Sequence, residues 1–172
     1  MKTTLCSFCL KSGILCPRCQ ERFESGEVDE VDIRVGRLLL ELEEGYPSLQ
    51  RISFHKAYEV DGILALVVGR GDLPHLLGYG GKIVRELFDK TGKRVRIIEE
   101  GGETRKFLED LFAPVKLVTI NRIWLPDGST ETRVILSGHR RRLPANVRTL
   151  KELAKSIRGM TLRVEFERPR RR

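Results

Sequence analysis

The sequence lacks the features of a membrane-inserted or exported chain. It contains no run of about 18 apolar residues, which argues against a transmembrane helix. The first five residues, Met-Lys-Thr-Thr-Leu, do not form the apolar segment of a signal peptide. We therefore expect a cytoplasmic protein with no membrane partner. Aromatic residues make up only 6% of the chain, so a broad aromatic stacking surface is not expected.

The usual motifs of nucleotide-binding enzymes are also missing. Residues 69–71 read Gly-Arg-Gly after a strand-like run, but Pro74 stands where a GxGxxG motif needs its third glycine. No GxxxxGK[ST] phosphate loop occurs. The three histidines are scattered and have no evident nucleophile partner: His55, His75 and His139. We expect a non-catalytic protein without a small-molecule substrate.

Charge is distributed unevenly along the 172 residues. The net charge is +8 overall, divided as −3 over residues 1–50, +2 over residues 51–100 and +9 over residues 101–172. A basic second half favours a polyanionic partner, of which nucleic acid is the commonest, although charge for solubility alone is equally compatible. The hydrophobic content of 40% is enough for one medium core or two small ones.

All four cysteines lie within the first nineteen residues, as two CxxC pairs separated by six residues: Cys6, Cys9, Cys16 and Cys19. Four thiolates at this spacing can surround one tetrahedral zinc ion, and four sulfur ligands leave no open position for catalysis. Two disulfides are the alternative, which a cytoplasmic chain disfavours. A redox CxxC is a further alternative, although the βαβ setting typical of such motifs is not visible. We expect a structural zinc site in a segment too small to bury its own core, so that metal supplies its folding energy.

The remainder of the chain predicts an α+β fold with an internal repeat. Apolar periodicity and glycine or proline breaks indicate the order helix, strand, strand, helix, strand twice. The first unit comprises helix 28–44, strands 51–60 and 63–69, a short helical turn 73–77, helix 82–90 and strand 93–99. The second comprises helix 103–112, strands 115–125 and 130–137, helix 145–157 and strand 160–167. Each unit should form a three-stranded sheet with helices on one face.

A glycine-rich loop in the first unit connects the short helical turn to the longer helix. Gly78, Gly80 and Gly81 let the backbone approach a ligand closely, because no Cβ atoms intervene. The free N–H groups at the start of the following helix suit a phosphate, and Lys82 and Arg85 add positive charge. A simple tight turn would use similar glycines.

The predicted order of elements resembles the type II KH domain: a helix, two strands, a GxxG loop that opens a second helix, and a final strand. In that family the loop clamps the backbone of single-stranded nucleic acid. Residues 78–81 match GxxG, and two such units in tandem are similar to the paired KH domains of archaeal NusA-like transcription factors. The resemblance covers residues from about 27 to 167 and implies a KH domain with an intact loop at 26–101 and a second KH domain at 102–172. The zinc-binding segment at 1–25, with its four cysteine ligands, is an addition to that pair. The resemblance also implies that the first unit contacts RNA through the loop, its helix and the last strand: Gly78, Tyr79, Gly80, Gly81, Lys82, Arg85, Arg94 and Arg96.

The second unit departs from the family's loop pattern. Aligning Val84-Arg85-Glu86-Leu87 with residues 147–150 places residues 141–144, Arg-Arg-Leu-Pro, opposite the GxxG loop. Without glycine, phosphate contacts there would come from side chains, for which Arg140, Arg141 and Arg142 are the candidates. The basic tail at 168–172 adds to the same charge. A solvated basic loop in a unit kept for packing is the alternative.

The resemblance implies a single-stranded RNA-binding factor that acts with RNA polymerase in transcription elongation or termination. Two alternatives remain open: a factor for ribosomal RNA maturation, and a protein adaptor that docks through its zinc segment and binds RNA incidentally. In the first unit, Leu77, Val84 and Ile97 could form the floor of the RNA groove. All three also fit core positions, and we expect Val84 and Ile97 to belong to the core. Tyr79 could stack on a base.

Overall fold

A computed structural model describes residues 1–167; the predicted basic tail at 168–172 lies outside these residues. The fold is mixed α+β with two separate sheets. The chain divides into two compact units, Met1–Gly101 and Gly102–Arg172. Among residues 1–167, every helix is too short or too polar to span a lipid bilayer.

Unit 1 contains five helices and four strands. In chain order they are β1 (Lys2–Thr3), α1 (Ser7–Ser12), α2 (Pro17–Glu24), α3 (Glu30–Leu42), β2 (Ser53–Val60), β3 (Ile63–Val68), α4 (Leu73–Leu77), α5 (Lys82–Thr91) and β4 (Arg94–Glu99). The β2–β3 turn at Asp61 and Gly62, both with positive φ, forms the hairpin expected of an Asp-Gly pair. Pro47–Arg51, predicted in part as strand, is a 3₁₀ turn.

The sheet of unit 1 has four strands rather than the predicted three. β2 pairs antiparallel with β3, and β3 pairs parallel with β4. The additional strand, β1, pairs parallel with the start of β2. Two residues are too few to show a hydrophobic period, so this edge strand could not be seen in the sequence. Helices α3, α4 and α5 pack on the sheet face that carries Phe54, Ala57, Leu64, Leu66 and Ile97.

Helix α3 begins two residues later than its hydrophobic pattern predicts. Asp29 is the N-cap, and its side chain accepts hydrogen bonds from the N–H groups of Val31 (2.9 Å) and Asp32 (3.0 Å). The Asp32 carboxylate accepts one from the Asp29 N–H (2.9 Å), which completes a reciprocal capping box. This box excludes Val28 from the helix, and Val28 instead packs with the cysteine segment.

The cysteine segment shares a small buried core with helix α3. Leu5, Cys9, Leu10, Cys19 and Val28 form a buried cluster, against which α3 places Ile33 and Leu40. The segment is therefore joined to unit 1 by packing. Helix α3 supplies the wall that a segment of about 25 residues could not build alone.

Unit 2 repeats the element order and sheet pairing of unit 1 without the additional strand. Its elements are α6 (Thr104–Phe112), β5 (Leu117–Trp124), β6 (Thr130–Leu136), α7 (Val147–Arg158) and β7 (Leu162–Phe166). β5 pairs antiparallel with β6, and β6 pairs parallel with β7. Helix α6 contacts β5 and α7, and α7 contacts β7. Their core-facing side chains are fully buried, including Phe107, Phe112, Leu150 and Leu153.

Asp32 links α3 to the sheet through a buried carboxylate, which is 2% exposed. Besides completing the capping box, it accepts a hydrogen bond from the Ala57 N–H on β2 (2.6 Å) and pairs with Lys56 Nζ (2.8 Å). We predict that Asp32→Ala lowers the free energy of unfolding of unit 1 by about 3 kcal/mol, because it leaves the buried Ala57 N–H without an acceptor and removes one half of the capping box. Lys56 loses its shortest ion pair but keeps Asp29.

The matched control is Glu30→Ala, which removes an exposed first-turn carboxylate and should lower the free energy of unfolding by less than about 1 kcal/mol. Urea unfolding followed by circular dichroism measures both. Equal losses for the two variants would contradict this role for Asp32.

Candidate functional site

The loop at residues 78–81 uses its glycines for two different reasons. A Cβ atom on Gly78 would lie 3.2 Å from the Pro74 carbonyl oxygen, so this position needs a residue without a side chain. Gly80 and Gly81 face open space but have φ of 64° and 75°, in the left-handed region. Tyr79 shares that conformation at φ 56°. Three consecutive left-handed residues give the loop its shape, and two of them leave the backbone uncovered.

The loop leads into a helix whose N-terminus has no side-chain cap. Gly81 is the N-cap of α5, and the first turn contains no acidic residue. Within residues 1–167, the N–H groups of Tyr79 and Gly80 make no hydrogen bond. Lys82 and Arg85 are at least partly exposed, and neither forms an ion pair in that part of the chain. An anion is favoured here by three features together: the unpaired N–H donors, the positive end of the helix dipole, and two cations without ion-pair partners.

Tyr79 is held in position by a neighbouring ring. Its ring centroid lies 5.3 Å from that of Tyr46 at an interplanar angle of 62°, and the residue is still 52% exposed. The Tyr46 hydroxyl donates to the Glu86 carboxylate on α5. A left-handed conformation destabilises an L-residue by about 1–2 kcal/mol, which a ring contact of about 0.5–1.5 kcal/mol partly offsets. The free face of Tyr79 is therefore presented to solvent in one orientation.

The other predicted residues of unit 1 divide into two sets. Leu77 is 50% exposed beside the loop, whereas Ile97 is buried and Val84 is half-buried against the same core. Because side chains alternate along β4 and Val95 and Ile97 face the helices, Arg94 and Arg96 point to the opposite face of the sheet, away from the loop. Both arginines also have polar partners within the protein. The structure thus brings together residues 77–85 and leaves Arg94 and Arg96 apart from them.

Unit 2 has a different arrangement at the equivalent position. Arg140–Arg142 form a 3₁₀ turn, and all three side chains are free of ion pairs within residues 1–167. The N-terminus of α7 is capped by the chain itself, because Asn146 Oδ1 accepts from the Thr149 N–H (2.8 Å). A cleft of about 580 Å³ lies between the turn and the helix, lined by Arg140, Arg141, Leu143, Ala145, Asn146, Val147 and Arg148. An anion here would meet guanidinium groups rather than backbone donors.

The four cysteines form one cluster. Their sulfur atoms all lie within 4.8 Å of one another, none is in a disulfide, and Cys6 and Cys16 stand at the N-caps of α1 and α2. A tetrahedral site with metal–sulfur bonds of about 2.3 Å needs sulfur separations of about 3.8 Å. The separation of Cys19 Sγ and Cys6 Sγ is 3.8 Å, whereas that of Cys6 Sγ and Cys9 Sγ is 3.1 Å. The four residues therefore fit a metal ion after small adjustments.

Hydrogen bonds within the cluster shift the pKa values of its thiols in both directions. The Cys16 N–H donates to Cys9 Sγ at 3.1 Å and lowers the pKa of Cys9, but the hydrogen bond with the Cys6 thiol and burial outweigh this contact and raise that pKa to about 12. Hydrogen bonds from the Cys19 backbone and then from the Cys19 thiol lower the pKa of Cys16 to about 7. Thiolates rather than thiols are metal ligands, so of these two residues only Cys16 has a pKa that favours the ligating form.

Sequence reasoning missed three residues that shape the site. Tyr46 and Glu86 orient Tyr79, but they are forty residues apart in sequence and no local pattern joins them. Asn146 caps α7, and this residue could have been found, because asparagine directly before an apolar-periodic segment is a helix-start signal.

Comparison with known proteins relates part of this chain to archaeal NusA-like proteins. It is 40% identical over 57 residues to the probable transcription termination protein NusA of Methanocaldococcus jannaschii, which covers 33% of this chain and 31% of that protein. It is 30% identical over 81 residues to the protein of the same name from Methanococcus vannielii, covering 47% and 45% of the two chains. The chain thus spans less than half the length of these curated relatives. No family model matches it.

A solved structure shares the fold. The crystal structure of APE1850 superposes with a TM-score of 0.51 over 76% of this chain and 96% of that chain, at 17% sequence identity. At that identity the likeness concerns the fold alone.

The hydrogen bond between Tyr46 and Glu86 can be tested by titration. Donating this bond, together with burial and the negative charge of Glu86, raises the pKa of Tyr46 above 10.0. We predict that Glu86→Gln makes one of the chain's three phenols ionise at lower pH, and that Tyr46→Phe removes this phenol from the titration, as measured by the ultraviolet absorbance of the phenolate.

The raised pKa also fixes the direction of the effect on stability. The folded protein favours the neutral phenol, so this stabilisation is fully present below the unfolded pKa of about 10 and is lost as pH rises through the folded value. Tyr46→Phe should remove this loss of stability at high pH. Phenol titrations that coincide in the wild type and Glu86→Gln would contradict the assignment.

Proposed function

We propose that this protein is a non-catalytic, single-stranded RNA-binding factor of the transcription machinery, built from two tandem type II KH units and a zinc-binding segment. The observation that carries the proposal is the loop at residues 78–81. Its left-handed backbone exposes unpaired N–H groups at an uncapped helix start, beside two unpaired cations. The partial similarity to archaeal NusA-like proteins supports the transcriptional role.

In the proposed complex, unit 1 holds the RNA backbone through its own backbone. The N–H groups of Tyr79 and Gly80 donate to phosphate oxygens, and Lys82 and Arg85 contribute electrostatic attraction. Exposed Leu77 provides an apolar surface for a base, and Tyr79 offers a ring for stacking. Arg94 and Arg96, which the family resemblance implied as contacts, are left out because they face away from the loop.

Unit 2 contributes charge to the same function. Its arginines at 140–142 replace the glycines, and its Asn146 cap fills the helix N-terminus that would otherwise receive a phosphate. We therefore assign to unit 2 side-chain contacts with phosphates. Such contacts add affinity that decreases steeply with salt and carries little sequence information.

Gly80 allows a test that separates charge from shape. Its Cβ position is open, and asparagine and aspartate are the residues that best tolerate its left-handed φ. We predict that Gly80→Asp weakens single-stranded RNA binding about tenfold or more, since its carboxylate would face a phosphate, whereas Gly80→Asn stays within about threefold of the wild type. Fluorescence anisotropy of a labelled oligonucleotide at fixed salt measures both affinities. Equal affinities for the two variants would overturn the proposed loop contact.

The cysteine cluster is proposed to hold one structural zinc ion. We predict about one zinc per chain in the purified protein, and loss of that zinc in Cys9→Ser, because three thiolates and a hydroxyl bind zinc far less tightly than four thiolates. Lys11→Ala, in the same segment, should keep the metal. Elemental analysis and thiol titration measure the outcome, and four reactive thiols with no metal would favour the redox alternative.

A second candidate function is that of a protein adaptor, favoured by the surface of the cysteine segment. Phe8 is 67% exposed and Ile14 is 72% exposed, which places two large apolar side chains in solvent beside the metal-binding cysteines. RNA polymerase that remains bound after nuclease treatment and Gly80→Asp substitution, but is lost with Phe8→Ser, would favour this function.

A further inference from the structure

The hairpin of β5 and β6 ends in an exposed aromatic side chain that the proposed function does not use. Trp124 is the only tryptophan in the chain, is 72% exposed, and makes no ring contact within residues 1–167. It is the last residue of β5 and pairs with Thr130 across the hairpin. An indole this exposed does not stabilise the core, so its role lies at the surface.

A polar cleft lies beside this tryptophan. Its volume is about 430 Å³, and it is lined by Thr104, Ile120, Arg122, Thr130, Thr132, Arg158, Gly159, Met160 and Thr161. Because side chains alternate along a strand, Arg122 and Trp124 lie on the same face of β5 as Ile120, which puts the indole at the edge of the cleft. A cleft of this size is within the range that holds a group such as a nucleotide.

This cleft is separate from the arginine turn of the same unit. It adjoins the C-terminal end of α7, whereas the 3₁₀ turn of Arg140–Arg142 precedes the N-terminus of that helix. The helix has 12 residues, so its two ends are about 18 Å apart. A ligand in this cleft is therefore a separate contact.

The charge of the cleft selects an anion. Two arginines line it and no carboxylate does. Arg122 is exposed and makes no hydrogen bond or ion pair within residues 1–167, and Arg158 lies over the Phe107 ring at 4.5 Å. Two nearby acidic groups are engaged elsewhere: Asp127 accepts hydrogen bonds from Ser129, and Glu131 pairs with Arg163 on the other face of the sheet. Glu103, which precedes Thr104, is exposed and does not line the cleft.

We propose that Trp124 and the adjoining cleft form a second contact for single-stranded nucleic acid, in which one base stacks on the indole and its phosphate lies between Arg122 and Arg158. A flat ring beside unpaired guanidinium groups is the combination that recognises nucleotides independently of sequence. The threonine hydroxyl groups of the cleft supply further hydrogen bonds to the sugar or phosphate. This contact does not depend on the loop at residues 78–81.

The single tryptophan gives the test a specific signal. The full chain is titrated with a short oligouridine, and tryptophan emission is recorded together with the anisotropy of the labelled oligonucleotide. We expect emission to be quenched as the oligonucleotide binds, and Trp124→Ala to weaken binding by anisotropy about tenfold. Trp124→Phe, which keeps a stacking ring, should recover most of that affinity.

A matched pair of charge variants tests the phosphate contact. Arg122→Gln should weaken the quenching-detected affinity about fivefold or more, whereas Lys116→Gln, which removes one charge about 20 Å away along β5, should have little effect. Oligouridine and oligodeoxyuridine that quench alike would assign the contact to base and phosphate, and preferential quenching by oligouridine would add the 2′-hydroxyl.

The Gly80→Asp variant separates this proposal from the proposed function. If the quenching of tryptophan emission persists in Gly80→Asp, the contact at Trp124 is independent of the loop. This outcome supports the second contact even where the same variant shows that the loop does not bind RNA. Oligonucleotide binding by anisotropy without any change in tryptophan emission would overturn the proposal. A change in emission caused only by RNA polymerase would also overturn it and assign the surface to a protein.

Discussion

A buried carboxylate at the start of helix α3 positions most of unit 1. Asp32 closes the helix N-terminus through the capping box and joins the helix to strand β2 through the Ala57 N–H and Lys56. With the helix fixed on one side, its opposite side becomes a rigid support for the cysteine segment. Gly36 allows Leu10 to approach, since a Cβ atom there would lie 3.2 Å from the leucine methyl group, and Arg37 donates to the Leu10 carbonyl at 3.0 Å. One helix therefore contacts both the sheet and the segment that carries the cysteine cluster.

The two units offer different groups to an anion on the same topology. In unit 1 the loop backbone is the donor, and the carboxylate of Glu86 on the following helix is occupied by Tyr46. In unit 2 the helix N-terminus is filled by Asn146, and three guanidinium groups stand in the preceding turn. Backbone donors are short and rigid, so they fix the position of a phosphate, whereas arginine side chains are long and mobile, so they mainly add attraction. A chain with both kinds of unit would combine a fixed phosphate position, set by unit 1, with additional affinity from unit 2.

The order of elements could be predicted from sequence because helices and strands here have clear hydrophobic periods and end at glycine or proline. Strand β1 could not, since two residues have no period and pair only through the tertiary fold. The loop at residues 78–81 was recognisable from its glycines, but the left-handed φ of Tyr79 was not, because aromatic residues seldom adopt it and a distant ring supports it. Arg94 and Arg96 show a different limit of prediction. Their alternation with the apolar Val95 and Ile97 indicates that they lie on the sheet face without helices, whereas the family resemblance implied an RNA contact beside the loop.

The packing of Leu10 against Gly36 has a thermodynamic consequence for the whole of unit 1. A metal ion held by the four cysteines would bind the folded segment more tightly than the unfolded chain, so its binding free energy would be linked to folding by mass action. Because the segment shares helix α3 with the sheet, that free energy is not confined to the first 25 residues. With such a metal, the midpoint of unfolding of the unit that carries the glycine loop would depend on the free metal concentration, although the cysteines lie outside the loop.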